Sequence, residues 1–130
     1  MRSTALGPPA DSIIVVSSNA SIVAFPNPFA YNASKGGIEQ TVRTCAAERG
    51  KHGIRVNATA PGYMTNVVRD AEAVGKRVDT DVKHQIDALT PLARTGSDDK
   101  FAGPAVLLAS DAPGFVTGVV LPVDGGYTAL

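Results

Sequence analysis

Three short apolar runs, rich in β-branched residues, constrain the fold of this chain more than any other feature. They cover residues 13–16 (IIVV), 54–60 (IRVNATA) and 119–123 (VVLPV). The first run shows no polar alternation, which is typical of a strand that is buried on both faces inside a parallel sheet. Segments with helical periodicity lie between the runs, so the order is strand, helix, strand, helices, strand. This order predicts an α/β layered fold of parallel strands joined by right-handed crossovers.

The longest helical pattern covers residues 29–49 and ends at Gly50. One apolar face is predicted from the residues that recur at helical spacing: Ile38, Val42, Cys45 and Ala46. The glycine pair at 36–37 weakens this helix by about 1 kcal/mol per residue relative to alanine. Either the helix backbone approaches a neighbour or a ligand closely at these glycines, or the helix simply tolerates them.

Two further helical regions are predicted before the third strand. Residues 66–90 indicate one or two surface helices, interrupted near Gly75 and ended by Pro91. Ser97 is predicted to cap the next helix. That helix is expected to bury Phe101, Ala105, Val106, Leu108 and Ala109.

The composition narrows the class of protein. A hydrophobic content of 44% in 130 residues fits one globular domain. Twelve basic residues balance twelve acidic ones, so the charge gives no reason to expect nucleic acid or a membrane as a partner. Cys45 is the only cysteine, and we expect it to pack inertly. The absence of a disulfide and of a signal-peptide pattern predicts a cytoplasmic location.

Residues capable of proton transfer are predicted to converge at one end of the sheet. Ser18 follows the first strand and Gly62 follows the second, and ligand sites lie at the carboxyl ends of parallel strands. Tyr31 and Lys35 are four residues apart in the predicted helix, so they share one face. A tyrosine and a lysine at this spacing are more often two solvated surface side chains. Here, the convergence of two strand ends and a helix favours a catalytic site.

Five ordered segments resemble the short-chain dehydrogenase/reductase family. They are residues 13–18 (IIVVSS), 31–37 (YNASKGG), 53–57 (GIRVN), 61–65 (PGYMT) and 107–126, which ends in VDGG. The resemblance implies a Rossmann-like, doubly wound sheet, of which about three strands with flanking helices are expected here. It also implies NAD(P)-dependent hydride transfer between a carbonyl and a secondary alcohol. The substrate would be a small molecule of sugar, polyol or 3-oxoacyl type, and the full-length form a homo-oligomer (dimer or tetramer).

The resemblance also implies roles for three catalytic residues. Tyr31 matches the acid/base that exchanges a proton with the substrate oxygen. Free tyrosine ionises near about pH 10, and the family places a lysine and the positive nicotinamide beside the phenol to favour the phenolate. Lys35 matches that lysine, which also holds the nicotinamide ribose hydroxyls. Ser18 matches the residue that hydrogen-bonds the substrate oxygen.

Residues 61–65 match the family loop that lies along the nicotinamide. The cofactor-binding residues implied in this way are Tyr31, Lys35, Pro61, Gly62, Met64 and Thr65. Family members usually carry one more residue between the positions of Met64 and Thr65. Either Thr65 or Asn66 therefore makes the carboxamide contact. No metal site is predicted, and His52 and His84 are expected to be solvated.

The family's pyrophosphate-binding motif is absent. None of the 13 glycines forms Gly-x-Gly-x-x-Gly or Thr-Gly-x-x-x-Gly-x-Gly. The residue that would select NAD or NADP is absent with it. We therefore interpret residues 13–130 as the carboxyl-terminal half of a Rossmann domain, preceded by a lead-in segment of residues 1–12. The hypotheses are an oxidoreductase seen in part, a truncated non-catalytic fragment acting only through subunit-type interactions, and an unstable fragment.

Overall fold

Three parallel strands form one sheet in the order β1-β2-β3. A computed structural model describes residues 11–65 and 80–129, excluding the side chains of 80–82. The strands are β1 (Ser12–Val16), β2 (Arg55–Pro61) and β3 (Val120–Val123). The register places Val15 beside Ala58, and Ala58 beside Val120. The predicted α/β fold with about three parallel strands is confirmed.

Helices connect the strands. They are α1 (Phe29–Arg49), α2 (Thr80–Leu89) and α3 (Asp98–Ala109). The bounds of α1 agree with the prediction, and α3 begins directly after Ser97. The predicted helical region 66–90 is represented by α2, whereas its first part, with Gly75, lies outside the described residues, as does most of the lead-in segment.

The core lies between α1 and one face of the sheet. Val42 and Ala46 of α1 pack against Val56 and Ala58 of β2, and all four are buried. The partly buried residues around them are Val15, Ile38, Cys45, Ile54 and Val120. The predicted helix face is therefore confirmed, including the packing position of Cys45.

The opposite face of β2 is polar, although it is buried. The Arg55 guanidinium donates to the carbonyl oxygen of Ser110 at 2.8 Å. The Asn57 amide donates to the carbonyl oxygen of Val116 at 3.0 Å and accepts from the Val119 backbone N–H at 3.1 Å. These bonds tie the segment that precedes β3 to the middle strand.

Two burial predictions are wrong. The first strand is not buried on both faces: Ile13 is 48% and Val16 is 52% exposed. Among the described residues β1 pairs with β2 alone, so it forms an edge. In α3, Leu108 is buried and Phe101 and Ala105 are half-buried, but Val106 and Ala109 are exposed. A sheet with three described strands offers α3 only a narrow surface to cover.

The glycine pair in α1 faces open space. A Cβ added to Gly36 or Gly37 would meet no atom of the described residues within 4 Å. Gly36→Ala and Gly37→Ala are therefore each expected to raise the free energy of unfolding by about 0.5–1 kcal/mol, because alanine restricts the unfolded chain. Urea denaturation measures the change.

The matched control for this prediction is Gly53, which has φ of 75°. Alanine is strained at positive φ, so Gly53→Ala should lower the free energy of unfolding. If Gly36→Ala or Gly37→Ala destabilised the chain as well, plain tolerance of the pair would be the wrong explanation.

Candidate active site

One cavity joins the ends of β1 and β2 to the start of α1. Its volume is about 350 Å³. It is lined by Ser18, Asn19, Ala20, Phe25, Pro26, Pro28, Tyr31, Gly62 and Tyr63, and we name it the serine–tyrosine cavity. The structure thus brings together two of the three predicted catalytic residues, which come from different elements.

Ser18 is held by local bonds directly after β1. The ladder with β2 extends one residue beyond the strand, because the Ser17 backbone N–H donates to the Thr59 carbonyl oxygen at 2.8 Å. Ser18 then caps a short 3₁₀ turn, and its hydroxyl accepts from the Ala20 backbone N–H at 3.2 Å. The same hydroxyl donates to Asn19 Oδ1 at 3.3 Å. Both distances are at the long end of the hydrogen-bond range, so neither bond holds the hydroxyl strongly.

Tyr31 and Lys35 lie on one face in the first turns of α1, as predicted. Lys35 Nζ is 5.6 Å from the centroid of the Tyr31 ring, which is within cation–π range. The same ammonium donates to the Val16 carbonyl oxygen at 3.3 Å. Lys35 therefore links α1 to the last residue of β1 and stands beside the phenol. Tyr31 is 48% exposed, so a ligand can reach it.

The predicted cofactor-binding loop is divided between two cavities. Gly62 lines the serine–tyrosine cavity, whereas Pro61 and Met64 line a second cavity of about 190 Å³ together with Val16. A Cβ at Gly62 would lie 2.7 Å from the Cβ of Asp124, so the close packing of this loop on the turn after β3 requires glycine.

Thr65 is the predicted residue that the structure does not bring to the site. Its backbone N–H donates to the Gly96 carbonyl oxygen at 2.8 Å, and the residue is exposed. It lines neither of the two cavities just described. The alternative, Asn66, lies outside the described residues.

An aromatic cluster was not identified from the sequence. It consists of Phe25, Tyr63 and Tyr127, one residue following each of the three strands. The ring centroids are 5.7 Å apart for Phe25 and Tyr127, 5.8 Å for Tyr63 and Tyr127, and 6.2 Å for Phe25 and Tyr63. Burial raises the pKa of the Tyr63 phenol, and the neighbouring Tyr127 adds to the effect, so Tyr63 is neutral at pH 7. The sequence did contain one signal for this cluster, because each of the three aromatic residues follows a predicted strand.

The other cavity, the histidines and the remaining described residues do not form a second candidate active site. A larger cavity of about 470 Å³ is lined by Met64, Arg94 and Lys100 among others, but not by Ser18 or Tyr31. His52 and His84 are exposed, as expected. Within residues 11–65 and 80–129, no group of three or more His, Cys, Asp or Glu could hold a metal ion. No helix in the same ranges is long and apolar enough to cross a membrane.

The parallel sheet, with serine, tyrosine and lysine side chains near its carboxyl ends, defines an α/β protein of the Rossmann class. The chain belongs to the short-chain dehydrogenase/reductase family. A family model described as Enoyl-(Acyl carrier protein) reductase matches residues 3–128. The relatives that the chain matches include proteins named as dehydrogenases.

Three relatives show the extent of the similarity. An L-rhamnose 1-dehydrogenase (NAD(P)(+)) from Sphingomonas sp. (strain SKA58) is 39% identical over 116 residues, which are 88% of this chain and 44% of the relative. A galactitol 2-dehydrogenase (L-tagatose-forming) from Cereibacter sphaeroides is 41% identical over 98 residues, 75% of this chain and 37% of the relative. The crystal structure of a gluconate 5-dehydrogenase from Burkholderia cenocepacia J2315 in complex with NADP and tartrate has a TM-score of 0.84 and 34% identity, covering 93% of this chain and 46% of that one. The chain therefore spans less than half the length of these relatives.

Proposed function

We propose that this chain forms the substrate-binding and proton-transferring part of a dehydrogenase that interconverts a secondary alcohol and a carbonyl compound. In this proposal residues 13–130 are the carboxyl-terminal half of the domain. The observation that carries it is the serine–tyrosine cavity, in which Ser18 and Tyr31 line one space and the Lys35 ammonium lies 5.6 Å from the Tyr31 ring.

The residues present fit one end of a nicotinamide cofactor. The second cavity is lined by Val16, Pro61, Met64 and Phe101 together with the acidic residue Asp98. The Lys35 ammonium, which is bonded to the Val16 carbonyl oxygen, can donate to ribose hydroxyls. The sequence contains no glycine-rich pyrophosphate motif, so the fit is limited to the nicotinamide end. When bound, NAD or NADP supplies or accepts the hydride. Pro61, Gly62, Met64 and Thr65 are the loop residues proposed to lie along it, of which Thr65 lines neither cavity.

Tyr31 is proposed as the acid/base. Its phenol gives a proton to the carbonyl oxygen in reduction and removes one from the alcohol in oxidation. The Lys35 ammonium, 5.6 Å from the centroid of the Tyr31 ring, is proposed as the positive charge that favours negative charge on the phenol oxygen during the reaction. The hydrogen bond from Lys35 to the Val16 carbonyl oxygen holds the ammonium in this position.

Ser18 is proposed to bind the reacting oxygen of the substrate. Its hydroxyl makes two long bonds, to Ala20 and Asn19, and the bond it donates to Asn19 can be exchanged for one to the substrate. A donor at this point stabilises the charge that develops on the oxygen during the reaction. The dehydrogenases to which the chain is similar include enzymes named for rhamnose and galactitol, which supports a sugar, a polyol or a related hydroxy compound over a 3-oxoacyl substrate.

The assembly and the location belong to the same proposal. A dimer or tetramer of the full-length form is expected from the family, and light scattering of the purified protein measures it. The cytoplasm is the expected compartment, because Cys45 is the only cysteine and packs against the core.

Hydride transfer tests the proposed function. The polypeptide expressed from the gene that encodes this chain should reduce ketones with loss of NADH or NADPH absorbance. The isolated 130-residue chain should bind either cofactor weakly or not at all by calorimetry, because it lacks the pyrophosphate motif. Tight binding by the isolated chain would contradict the half-domain interpretation. A folded polypeptide without hydride transfer to any ketone would favour the non-catalytic alternative.

A further inference from the structure

The aromatic cluster gives the serine–tyrosine cavity one apolar wall. Phe25 and Tyr63 line the cavity together with Ser18 and Tyr31. Tyr127 does not line it but packs on both rings, stacked on Phe25 at an interplanar angle of 29° and edge-on to Tyr63. Since each ring follows a different strand, the wall forms only when the three strand ends meet. Phe25 and Tyr63 thus contribute aromatic side chains to the lining of the cavity.

Hydrogen bonds fix the wall in place before any ligand binds. The Asn32 amide donates to the Phe25 carbonyl oxygen at 2.7 Å, which ties the loop after β1 to α1. The Asp124 carboxylate accepts from the Thr128 hydroxyl at 2.7 Å and from the Thr128 backbone N–H at 2.9 Å. These bonds close the turn that carries Tyr127. A preorganised aromatic surface loses little freedom when a ring stacks on it.

Asn19 provides a polar group on the same cavity. The residue is 5% exposed and lies next to Ser18, whose hydroxyl donates to Asn19 Oδ1. Its Nδ2 atom is buried and has no hydrogen-bond partner in the part of the chain that the structure describes. A buried donor without a partner costs free energy, and a ligand hydroxyl that accepts from it removes that cost.

We propose that the cavity selects a ring-shaped ketone or alcohol that carries a hydroxyl on the carbon next to the reacting one. Phe25 and Tyr63 pack against the C–H face of the ring, and Asn19 Nδ2 donates to the neighbouring hydroxyl. The proposal rests on the proposed function, which places the reacting oxygen at Ser18 and Tyr31. A volume of about 350 Å³ lies in the range of about 300–1,000 Å³ that is usual for small-molecule sites.

Four ketones test the contact with the aromatic rings and the contact with Asn19 separately. Two are cyclic and two are open-chain, and one of each kind carries the neighbouring hydroxyl: cyclohexanone, 2-hydroxycyclohexanone, butanone and 3-hydroxybutanone. The polypeptide expressed from the gene should have its highest kcat/KM with 2-hydroxycyclohexanone. Asn19→Ala should lower the ratio of kcat/KM for 2-hydroxycyclohexanone to that for cyclohexanone about tenfold. Tyr63→Leu should lower the ratio for 2-hydroxycyclohexanone to that for 3-hydroxybutanone about five- to tenfold.

Two matched variants control for general damage. Tyr63→Phe keeps the ring and should keep the preference for the cyclic ketone. Phe115 is fully exposed and outside the cavity, so Phe115→Leu should leave both ratios unchanged. Circular dichroism establishes that each variant folds. Asn19→Ser and Phe25→Leu replace any variant that does not.

Different outcomes overturn different parts of the inference. An equal loss of kcat/KM for all four ketones in Asn19→Ala would show that Asn19 only positions Ser18. An unchanged ring preference in Tyr63→Leu would overturn the role of the wall. If no ketone is reduced, the proposed function fails. Saturation-transfer NMR then measures binding of the four ketones and tests the inferred selectivity separately. Preferential binding of 2-hydroxycyclohexanone that Asn19→Ala abolishes would support it, and equal binding of the four ketones would overturn it.

Discussion

Replacing Tyr31 with phenylalanine is expected to lower kcat for hydride transfer by about 10²–10⁴-fold. The substitution removes the phenol oxygen that exchanges the proton and leaves the ring. Tyr31 is 48% exposed and its ring centroid lies 5.6 Å from Lys35 Nζ, so the local packing and the position of the ammonium should persist. Steady-state turnover with a ketone and NADH or NADPH measures the effect in the polypeptide expressed from the gene.

Cofactor affinity is the control for the Tyr31→Phe variant. The dissociation constant of NADPH from calorimetry should change little, because Lys35 and the second cavity, which Val16 lines, are retained. A variant that turns over at nearly the normal rate would remove Tyr31 from the acid/base role. A variant that has lost both turnover and cofactor binding would instead place Tyr31 in the binding of the cofactor.

Replacing Asn57 with leucine is expected to lower the free energy of unfolding by about 1–3 kcal/mol. Asn57 is completely buried on β2 and is bonded to the Val116 carbonyl oxygen and the Val119 backbone N–H. Leucine has a similar size but no polar atoms. The Val119 N–H would lose this partner, and the Val116 carbonyl oxygen would keep only the long 3.5 Å bond from Arg55. Urea denaturation of the 130-residue chain measures the loss.

Gln40→Leu is the matched control for Asn57→Leu. Gln40 is an exposed residue of α1, so the same loss of an amide should change the free energy of unfolding by no more than about 0.5 kcal/mol. If Asn57→Leu also cost less than about 1 kcal/mol, the segment before β3 would have found other hydrogen bonds. The assignment of Asn57 as the tie between β2 and β3 would then be wrong.

Local patterns in the sequence predicted the elements well. The spacing of Val42 and Ala46 was sufficient to predict the buried face of α1, and Gly50 its carboxyl end, because a helix face is defined by residues within a few turns. The second and third strands were placed to within one residue at each end. Ser18 and Tyr31 were predicted to meet because parallel strands and the following helices open at the same edge of a sheet.

Properties that depend on distant neighbours were not predictable in the same way. The apolar run of β1 has the composition of a strand buried on both faces, yet Ile13 and Val16 are exposed, since burial depends on which elements adjoin the strand. The aromatic wall was missed because its three rings belong to loops far apart in sequence. The position of Thr65 depends on its backbone bond to Gly96, which no local pattern indicates.

The aromatic cluster of Phe25, Tyr63 and Tyr127 also has a spectroscopic consequence. The chain contains no tryptophan and three tyrosines, two of which belong to the wall while the third is Tyr31. Tyrosine emission of the isolated chain therefore originates at the serine–tyrosine cavity and at Tyr127, which packs on its wall. The ring centroids of Tyr63 and Tyr127 are 5.8 Å apart, so a change in their packing is expected to change the tyrosine signal. Opening of the three loops can thus be observed separately from melting of the helices, which the far-ultraviolet signal follows.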